Sequence, residues 1–315
     1  MMSQCLRALL LSGAILVAGA VRADEQPPPK PPRYTSAGWR ELCEAVTRDA
    51  NEDSANKKVQ EFIECSPAEL RRELLRKLTE DPREAVAKTA CEVLAQTGAN
   101  EEDARFFWKV HDRCKKMFWR TQVLKCIGLT GDVDSVARLC EIAATPWTDD
   151  VMKAGLFVWE EHIVAAQTSI YLLTGQARCF VSVVDRAKDP LRKEVFGDIA
   201  KKAADLKEVD KEERSRKLLE EFMTNGLAGP FRSVAQYGLL RLAGRFPIPP
   251  SYLFREGIEV DDKRWQRYRT AWKQWWDDYR EDATFDKEGG HYVTPTPSPP
   301  GIVYFILGVY PGWPP

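Results

Sequence analysis

Apolar residues recur at helical spacing through almost every segment between residues 33 and 282. The segments WRELCEAV, from residue 39, and ELRRELLRKL, from residue 69, each place four apolar residues on one face of a helix. Strand-like alternation is scarce over the same range, and the helices are short and separated by polar, Gly or Pro turns. The pattern therefore predicts an all-α fold of stacked helical hairpins.

Four of the predicted helices end alike, in CEVLAQTG, LKCIGLTG, SIYLLTG and GLLRLAG. Their final residues are Gly98, Gly131, Gly175 and Gly244, each expected in the left-handed conformation that closes a helix. The intervals between these glycines are 33, 44 and 69 residues, and the last is long enough for two units. A ragged period of this size is typical of an α-solenoid.

The stretch DPREAVAKTACEVLAQTGANEEDARFFWKV, residues 81–110, resembles a HEAT repeat, with an Ala-rich inner helix, a Gly turn and an outer helix. LLRLAG followed by RWQRYRTAWKQWWDDYR also resembles the secreted HEAT-repeat proteins of planctomycete-like bacteria. The resemblance covers roughly residues 66–282 and departs from the pattern in a charged insertion, residues 187–225. It implies a scaffold or binding surface and says little about activity.

The chain begins with an early arginine, an apolar run from Ala8 to Ala20 and a small residue, Ala23. This is the arrangement of a secretory signal peptide, with cleavage expected between Ala23 and Asp24. A membrane anchor needs about 20 apolar residues, and this run is shorter. The predicted organisation is a signal peptide at 1–23, a Pro-rich linker at 24–36, a HEAT-like solenoid at 37–283, a Pro/Gly-rich spacer at 284–300 and an apolar tail at 301–315.

An exported chain without residues 1–23 has 44 basic and 47 acidic residues. This balance does not favour nucleic acid as a partner. We expect a periplasmic or extracellular protein that is not integral to the membrane after cleavage.

Seven cysteines remain after residue 23, an odd number that leaves at least one thiol unpaired. Most of them occupy apolar helical positions, where cysteine packs as a small hydrophobic residue. We expect mostly buried free thiols, together with one or two disulfides.

Recognisable catalytic motifs are missing from the sequence, including GxGxxG, GxxxxGK[ST], GxSxG and CxxC. His111 and Cys114 are predicted on adjacent turns of one helix face, and His162 follows two glutamates. A metal site needs three or four converging ligands, so neither histidine is predicted to bind one. Adjacent carboxylates in the sequence point about 100° apart on a helix, so they do not form the facing pair of a glycosidase. We interpret them as solvated surface residues. The sequence predicts no catalytic residue, no cofactor and no metal.

The segment KKAADLKEVDKEERSRKLLEE, residues 201–221, mixes charges of both signs. It is predicted to form two exposed helices with ion pairs such as Glu208 with Lys211 and Glu212 with Arg216.

Six aromatic residues crowd into the segment RWQRYRTAWKQWWDDYRED, from residue 264. They are Trp265, Tyr268, Trp272, Trp275, Trp276 and Tyr279. Their spacing of three and four residues predicts a single stripe on a helix that caps the last repeat. A ligand could then contact whichever of Trp275 and Trp276 the cap leaves exposed.

The tail GIVYFILGVYPGWPP follows a short polyproline-like spacer. Its apolar run, Ile302 to Tyr310, is too short to cross a bilayer. It either folds back onto the helices or docks on a partner through residues such as Tyr304 and Phe305.

Two functions remain after these patterns. The first is an exported, non-enzymatic scaffold that binds a protein or cell-envelope component. The second is a carbohydrate-binding or carbohydrate-processing protein that stacks exposed tryptophans on sugars. The second requires exposed rings between Trp265 and Tyr279.

Overall fold

A computed structural model describes residues 68–146, 156–183, 185, 188–244, 262–296 and 299. The expected signal peptide, the Pro-rich linker, the helix expected from residue 39 and the apolar tail lie outside these residues. The helices are α1 Ala68–Leu78, α2 Glu84–Gln96, α3 Glu101–Arg113, α4 Met117–Ile127, α5 Ser135–Ala143, α6 Leu156–Thr174, α7 Asp189–Leu206, α8 Lys211–Glu221, α9 Arg232–Leu242 and α10 Asp262–Tyr279. A short hairpin follows, with strands β1 Thr284–Asp286 and β2 His291–Val293.

The described residues are mostly helical, with ten helices and little strand, which confirms the all-α class. Two shorter elements interrupt the sequence of α-helices, a 3-10 turn at Ala177–Cys179 and a π-helical turn at Phe222–Gly226. Across the part of the chain that the structure describes, none of the helices has both the length and the apolar character needed to cross a membrane.

The helices pack in succession, because each contacts helices close to it in the chain. α4 lies between α2 and α6, and α6 also contacts α9. α3 packs on α4, α5 packs on α6, and α7 packs on α5. The apolar faces meet in one continuous core that includes buried side chains of α1, such as Leu74, Leu75 and Leu78.

Small residues allow the close approach of α4 and α6. A Cβ atom on Gly128, which follows α4, would lie 2.7 Å from the Cα atom of Ser169 in α6. The Ser169 hydroxyl donates a hydrogen bond to the Leu124 carbonyl over 2.7 Å. A larger residue at position 128 would therefore push the two helices apart.

The four glycines that end predicted helices all have positive φ, as expected. The angles are 99° at Gly98, 77° at Gly131, and 70° at both Gly175 and Gly244. A residue with a Cβ atom adopts this conformation only with strain. The positions of these turns therefore follow from the glycines themselves, which can be read from the sequence.

The charged segment from residue 201 forms the end of α7 and all of α8, which confirms a pair of helices. The ion pairs along α8 differ from those expected, since they join Glu213 with Lys217 and Arg216 with Glu220. The helix is also less exposed than predicted, because Arg214, Ser215 and Leu219 are buried. α8 therefore packs on the rest of the molecule through one face.

A two-stranded hairpin occupies residues 284–293, inside the predicted spacer, and the sequence pattern did not indicate it. The strands are antiparallel, with Phe285 opposite Tyr292. The Tyr292 ring is buried against Phe285 and against Trp276 of α10, with ring centroids 5.1 Å apart in both pairs. The hairpin is therefore anchored by aromatic packing rather than by strand length.

Candidate functional site

The aromatic stripe of α10 faces the protein interior. Trp272 is fully buried, and its ring meets that of Trp275 edge to face with centroids 5.4 Å apart. Trp265 is also buried, while Tyr268 and Tyr279 are half-buried. The carbohydrate hypothesis requires exposed rings along this stripe, so it loses its main support.

The two rings proposed for partner binding, Trp275 and Trp276, are both inaccessible. Only 3% of Trp275 and 8% of Trp276 is exposed, contrary to the expectation that one ring is left outside. The reason is the C-terminal hairpin, whose Tyr292 covers Trp276, and the following loop, whose Thr296 carbonyl accepts a hydrogen bond from Trp275.

Four further residues singled out from the sequence lie outside the described residues. These are the expected cleavage pair Ala23 and Asp24, and Tyr304 and Phe305 of the apolar tail.

The interhelical glycine turns share contacts with α8, the hairpin or arginines that reach the hairpin, and we call these turns the turn edge. It comprises the turns at Gly98, Gly131, Gly175 and Gly244. α8 lies against Gly175, since a Cβ atom there would meet Leu218 and Glu221. His291 of β2 lies against Gly244 in the same way. The turn edge is therefore covered by α8 and the hairpin.

Arginine and lysine side chains fasten these elements to the turn edge. Arg72 of α1 donates to the Gly98 carbonyl and pairs with Glu288 at the tip of the hairpin, over 2.5 and 2.6 Å. Lys211 of α8 donates to the Lys287 carbonyl over 2.8 Å. Arg241 of α9 donates to the carbonyl of Leu129. These contacts join segments that are as much as 216 residues apart in the chain.

Glu101 balances part of the positive charge at the turn edge. Its carboxylate pairs with Arg214 at 2.6 Å and lies 3.8 Å from Lys211. Burial lowers the pKa of Arg241 to about 10, an effect that Glu101 opposes and Arg214 reinforces. Each of these cations has a carbonyl or carboxylate partner, so the cluster is suited to fixing the chain rather than to acid–base chemistry.

Two histidines that are far apart in sequence stack on each other inside the protein. The rings of His111 in α3 and His162 in α6 have centroids 5.6 Å apart and planes inclined by 17°. Thr121 Oγ1 donates to the Met117 carbonyl and lies 3.2 Å from His162 Nδ1. When the hydroxyl proton goes to the Met117 carbonyl, the hydroxyl oxygen accepts from a protonated His162 Nδ1.

Burial keeps both imidazoles neutral at physiological pH. It lowers the pKa of His111 to about 4, although a hydrogen bond to Asp112 acts in the opposite direction. It lowers the pKa of His162 to about 3, with further repulsion from His111 and Arg120. Within the described ranges, no three His, Cys, Asp or Glu side chains are grouped so that they could bind a metal. The pair is therefore a packed core contact that responds to acid.

The five described cysteines are all buried free thiols, as expected from their helical positions; Cys43 and Cys65 lie outside the described residues. Burial raises the pKa of Cys114 to about 11 and that of Cys140 to about 12. The pKa values of Cys91 and Cys126 are also raised, again mainly by burial. A nucleophilic cysteine needs the thiolate form, which these sites disfavour.

A buried lysine, Lys125, lies in α4, which packs between α2 and α6. Burial lowers the pKa of Lys125 to about 8, while Glu161 of α6 and Glu92 of α2 act in the opposite direction. The side chain is 6% exposed, so a substrate could reach it only if the helices separated. We interpret it as part of the helix packing.

The segment RCKKMFWR, residues 113–120, forms a surface that combines positive charge with large apolar side chains. Phe118 is 53% exposed, and the Lys116 ammonium lies 4.0 Å from the centroid of the Trp119 ring. Arg113 donates to the carbonyls of Thr79 and Glu80. Four cations and three large apolar residues within eight positions are visible in the sequence, but helical periodicity does not show which side chains remain exposed.

No protein-family model matches the chain, and neither a curated protein nor a solved structure matches it. The function is therefore argued from the packing and chemistry of the described residues.

Proposed function

We propose that the protein is an exported, non-catalytic scaffold, built as a HEAT-like α-solenoid, that binds a protein or cell-envelope component. Residues 1–23 direct its export, and α10 with its aromatic stripe caps the last hairpin. The resemblance to secreted HEAT-repeat proteins of planctomycete-like bacteria belongs to the same proposal.

The observation that carries this proposal is the succession of helix contacts. α2, α4, α6 and α9 contact one another in order, and α3 and α5 pack beside the helices that follow them. Helical hairpins stacked in this manner present extended surfaces, which proteins of this architecture use for binding.

The chemistry of the ionisable core supports a structural role for its residues. The stacked histidines and the thiols lie in the core with their charged forms disfavoured by burial. The cations at the turn edge are engaged with carbonyls and carboxylates of the chain itself. We therefore assign binding to the exposed surface of the helices.

Site-specific photocrosslinking in intact cells tests the proposal. The large apolar residues exposed among those described are Phe118 in α4, Leu191 in α7 and Val293 in β2. Each is replaced in turn by a photoreactive phenylalanine analogue, with the exposed Lys201 of α7 as a polar control position. We expect a discrete adduct from at least one apolar position and none from position 201. A scaffold function is contradicted if all four positions give no adduct or the same nonspecific products.

A further inference from the structure

We infer that the surface formed by residues 113–120 docks onto an anionic lipid bilayer. The inference rests on the proposed scaffold function and names the cell-envelope component. The surface includes the loop between α3 and α4 and the first turn of α4. Lys115 and Lys116 are exposed in the loop, and Phe118 is exposed in the first turn of the helix.

The charge of the surface favours an anionic partner. Among the described residues, Arg113, Lys115 and Lys116 make no ion pair with a carboxylate. Arg120 is half-buried, and its charge acts on the buried histidines His111 and His162. Arg113 uses neutral backbone carbonyls as acceptors, so its charge is not cancelled. The positive potential is therefore concentrated at residues 113–116.

The acidic groups around this surface are engaged elsewhere. Asp112 pairs with Arg138, and Glu80 lies 3.9 Å from Lys109. Glu84 accepts a hydrogen bond from the backbone N–H of Lys115 over 3.1 Å and is the carboxylate that opposes the surface directly. Among the described residues, one carboxylate against three exposed cations leaves a net positive surface.

The apolar groups favour a bilayer over a folded protein partner. Phe118 is exposed over half of its surface and follows Lys116 by two positions in the chain; the Lys116 ammonium lies over the Trp119 ring. An exposed apolar ring on a basic segment can enter the headgroup region while the ammonium groups remain at the phosphates. Each lysine close to an anionic membrane contributes about 1 kcal/mol of binding.

Vesicle co-flotation of the full chain tests this inference. One vesicle preparation contains phosphatidylcholine alone, and the other contains equal parts of phosphatidylcholine and phosphatidylglycerol. Any apolar segment elsewhere in the chain would bind to both kinds of vesicle alike. The readout is therefore the ratio of the partition coefficient for anionic vesicles to that for neutral vesicles, measured at low salt. We expect a ratio well above one that falls when salt screens the charges.

The variants isolate the basic and apolar parts of the surface. Lys115→Gln with Lys116→Gln should lower the ratio about thirtyfold. Lys201→Gln with Lys202→Gln, which removes two exposed lysines from α7, is the matched control and should leave the ratio unchanged. Phe118→Ala should lower partition into anionic vesicles about tenfold. Circular dichroism confirms that each variant is folded.

Three outcomes of the flotation experiment would overturn the inference. These are a wild-type ratio near one, an equal effect of the two double-lysine variants, and unchanged binding by Phe118→Ala. Photocrosslinking from position 118 to a protein would also overturn it, while leaving the scaffold function intact. A discrete protein adduct from position 191 or 293 together with a wild-type ratio near one would overturn this inference alone and leave the scaffold function intact.

Discussion

At the residue scale, Gly131 shows how one backbone angle positions a buried charge. Its φ is 77°, and a Cβ atom there would lie 2.5 Å from the Arg241 guanidinium. A side chain at position 131 would therefore strain the turn and displace Arg241 from the Leu129 carbonyl. Gly197, in the middle of α7, has no atom within 4 Å of its Cβ position.

We predict opposite effects for alanine at these two glycines. Gly131→Ala should lower the free energy of unfolding by about 2 kcal/mol. Gly197→Ala should raise it by about 1 kcal/mol, because alanine is the better helix former. Urea denaturation with an unchanged m-value measures both. Equal stability of Gly131→Ala and wild type would show that the turn does not need a positive φ.

The stacked histidines predict a loss of stability in acid. Their pKa values in the folded protein, about 4 for His111 and about 3 for His162, lie below the unfolded value of about 6.5. The unfolded chain therefore binds protons first, and stability declines as pH falls through about 6.5 until the folded pKa values are reached. The expected loss between about pH 7 and pH 4.5 is about 2 kcal/mol for each histidine.

His162→Gln tests this linkage, since an amide N–H can still donate to Thr121 without titrating. The variant should show a smaller decrease in the free energy of unfolding between neutral and acidic pH than wild type. The comparison uses the slope against pH, so a constant cost of the substitution does not matter. Identical slopes would mean that His162 does not titrate on unfolding in this range.

At the scale of elements, the C-terminal hairpin depends on one face of β2. Tyr292 packs on Trp276 and Phe285, and its hydroxyl donates to the Glu212 carbonyl over 3.1 Å. Val293 is the next residue and points away, with 51% of its surface exposed. Two adjacent positions of the same strand thus differ sharply in burial.

We predict that Tyr292→Ala costs about 3 kcal/mol of unfolding free energy. Val293→Ala, the control, should cost less than about 0.5 kcal/mol. Tyr292→Ala should also shift tryptophan fluorescence to longer wavelength, because Trp276 loses its cover. A hairpin that contributes nothing to stability would give the same melting temperature for both variants.

Local patterns predicted the elements well. The helical class, the four glycine turns and the burial of the α10 stripe follow from periodicity and backbone chemistry within a few residues. The hairpin was not predictable, since its three-residue strands are stabilised by Trp276 and by contacts with α1 and α8. The stacked histidines were missed for the same reason, because 51 positions separate His111 from His162. The exposure of Phe118 likewise depends on how α3 and α4 are joined.

At the scale of the whole molecule, the hairpin connects helices that are far apart in the chain. In a strictly linear array each unit contacts only its neighbours, and the ends open independently. Here the hairpin tip bonds to Arg72 of α1, while Lys211 and Tyr292 join it to α8. The contacts between distant parts of the chain should couple the opening of the helices.

The five buried thiols measure this coupling, because they are distributed from α2 to the 3-10 turn. They are Cys91, Cys114, Cys126, Cys140 and Cys179. We expect a chain with serine at positions 5, 43 and 65 to resist thiol labelling when native, and all five thiols to become reactive at a common rate set by global opening. Mass spectrometry assigns the label to each cysteine.

Tyr292→Ala in the same background should increase all five labelling rates by a similar factor, since it weakens the closure rather than one helix. Val293→Ala is again the control and should leave the rates unchanged. If Cys91 and Cys179 instead label at widely different rates in both variants, the helices open one hairpin at a time. The contacts of the hairpin with α1 and α8 would then add stability locally without coupling the array.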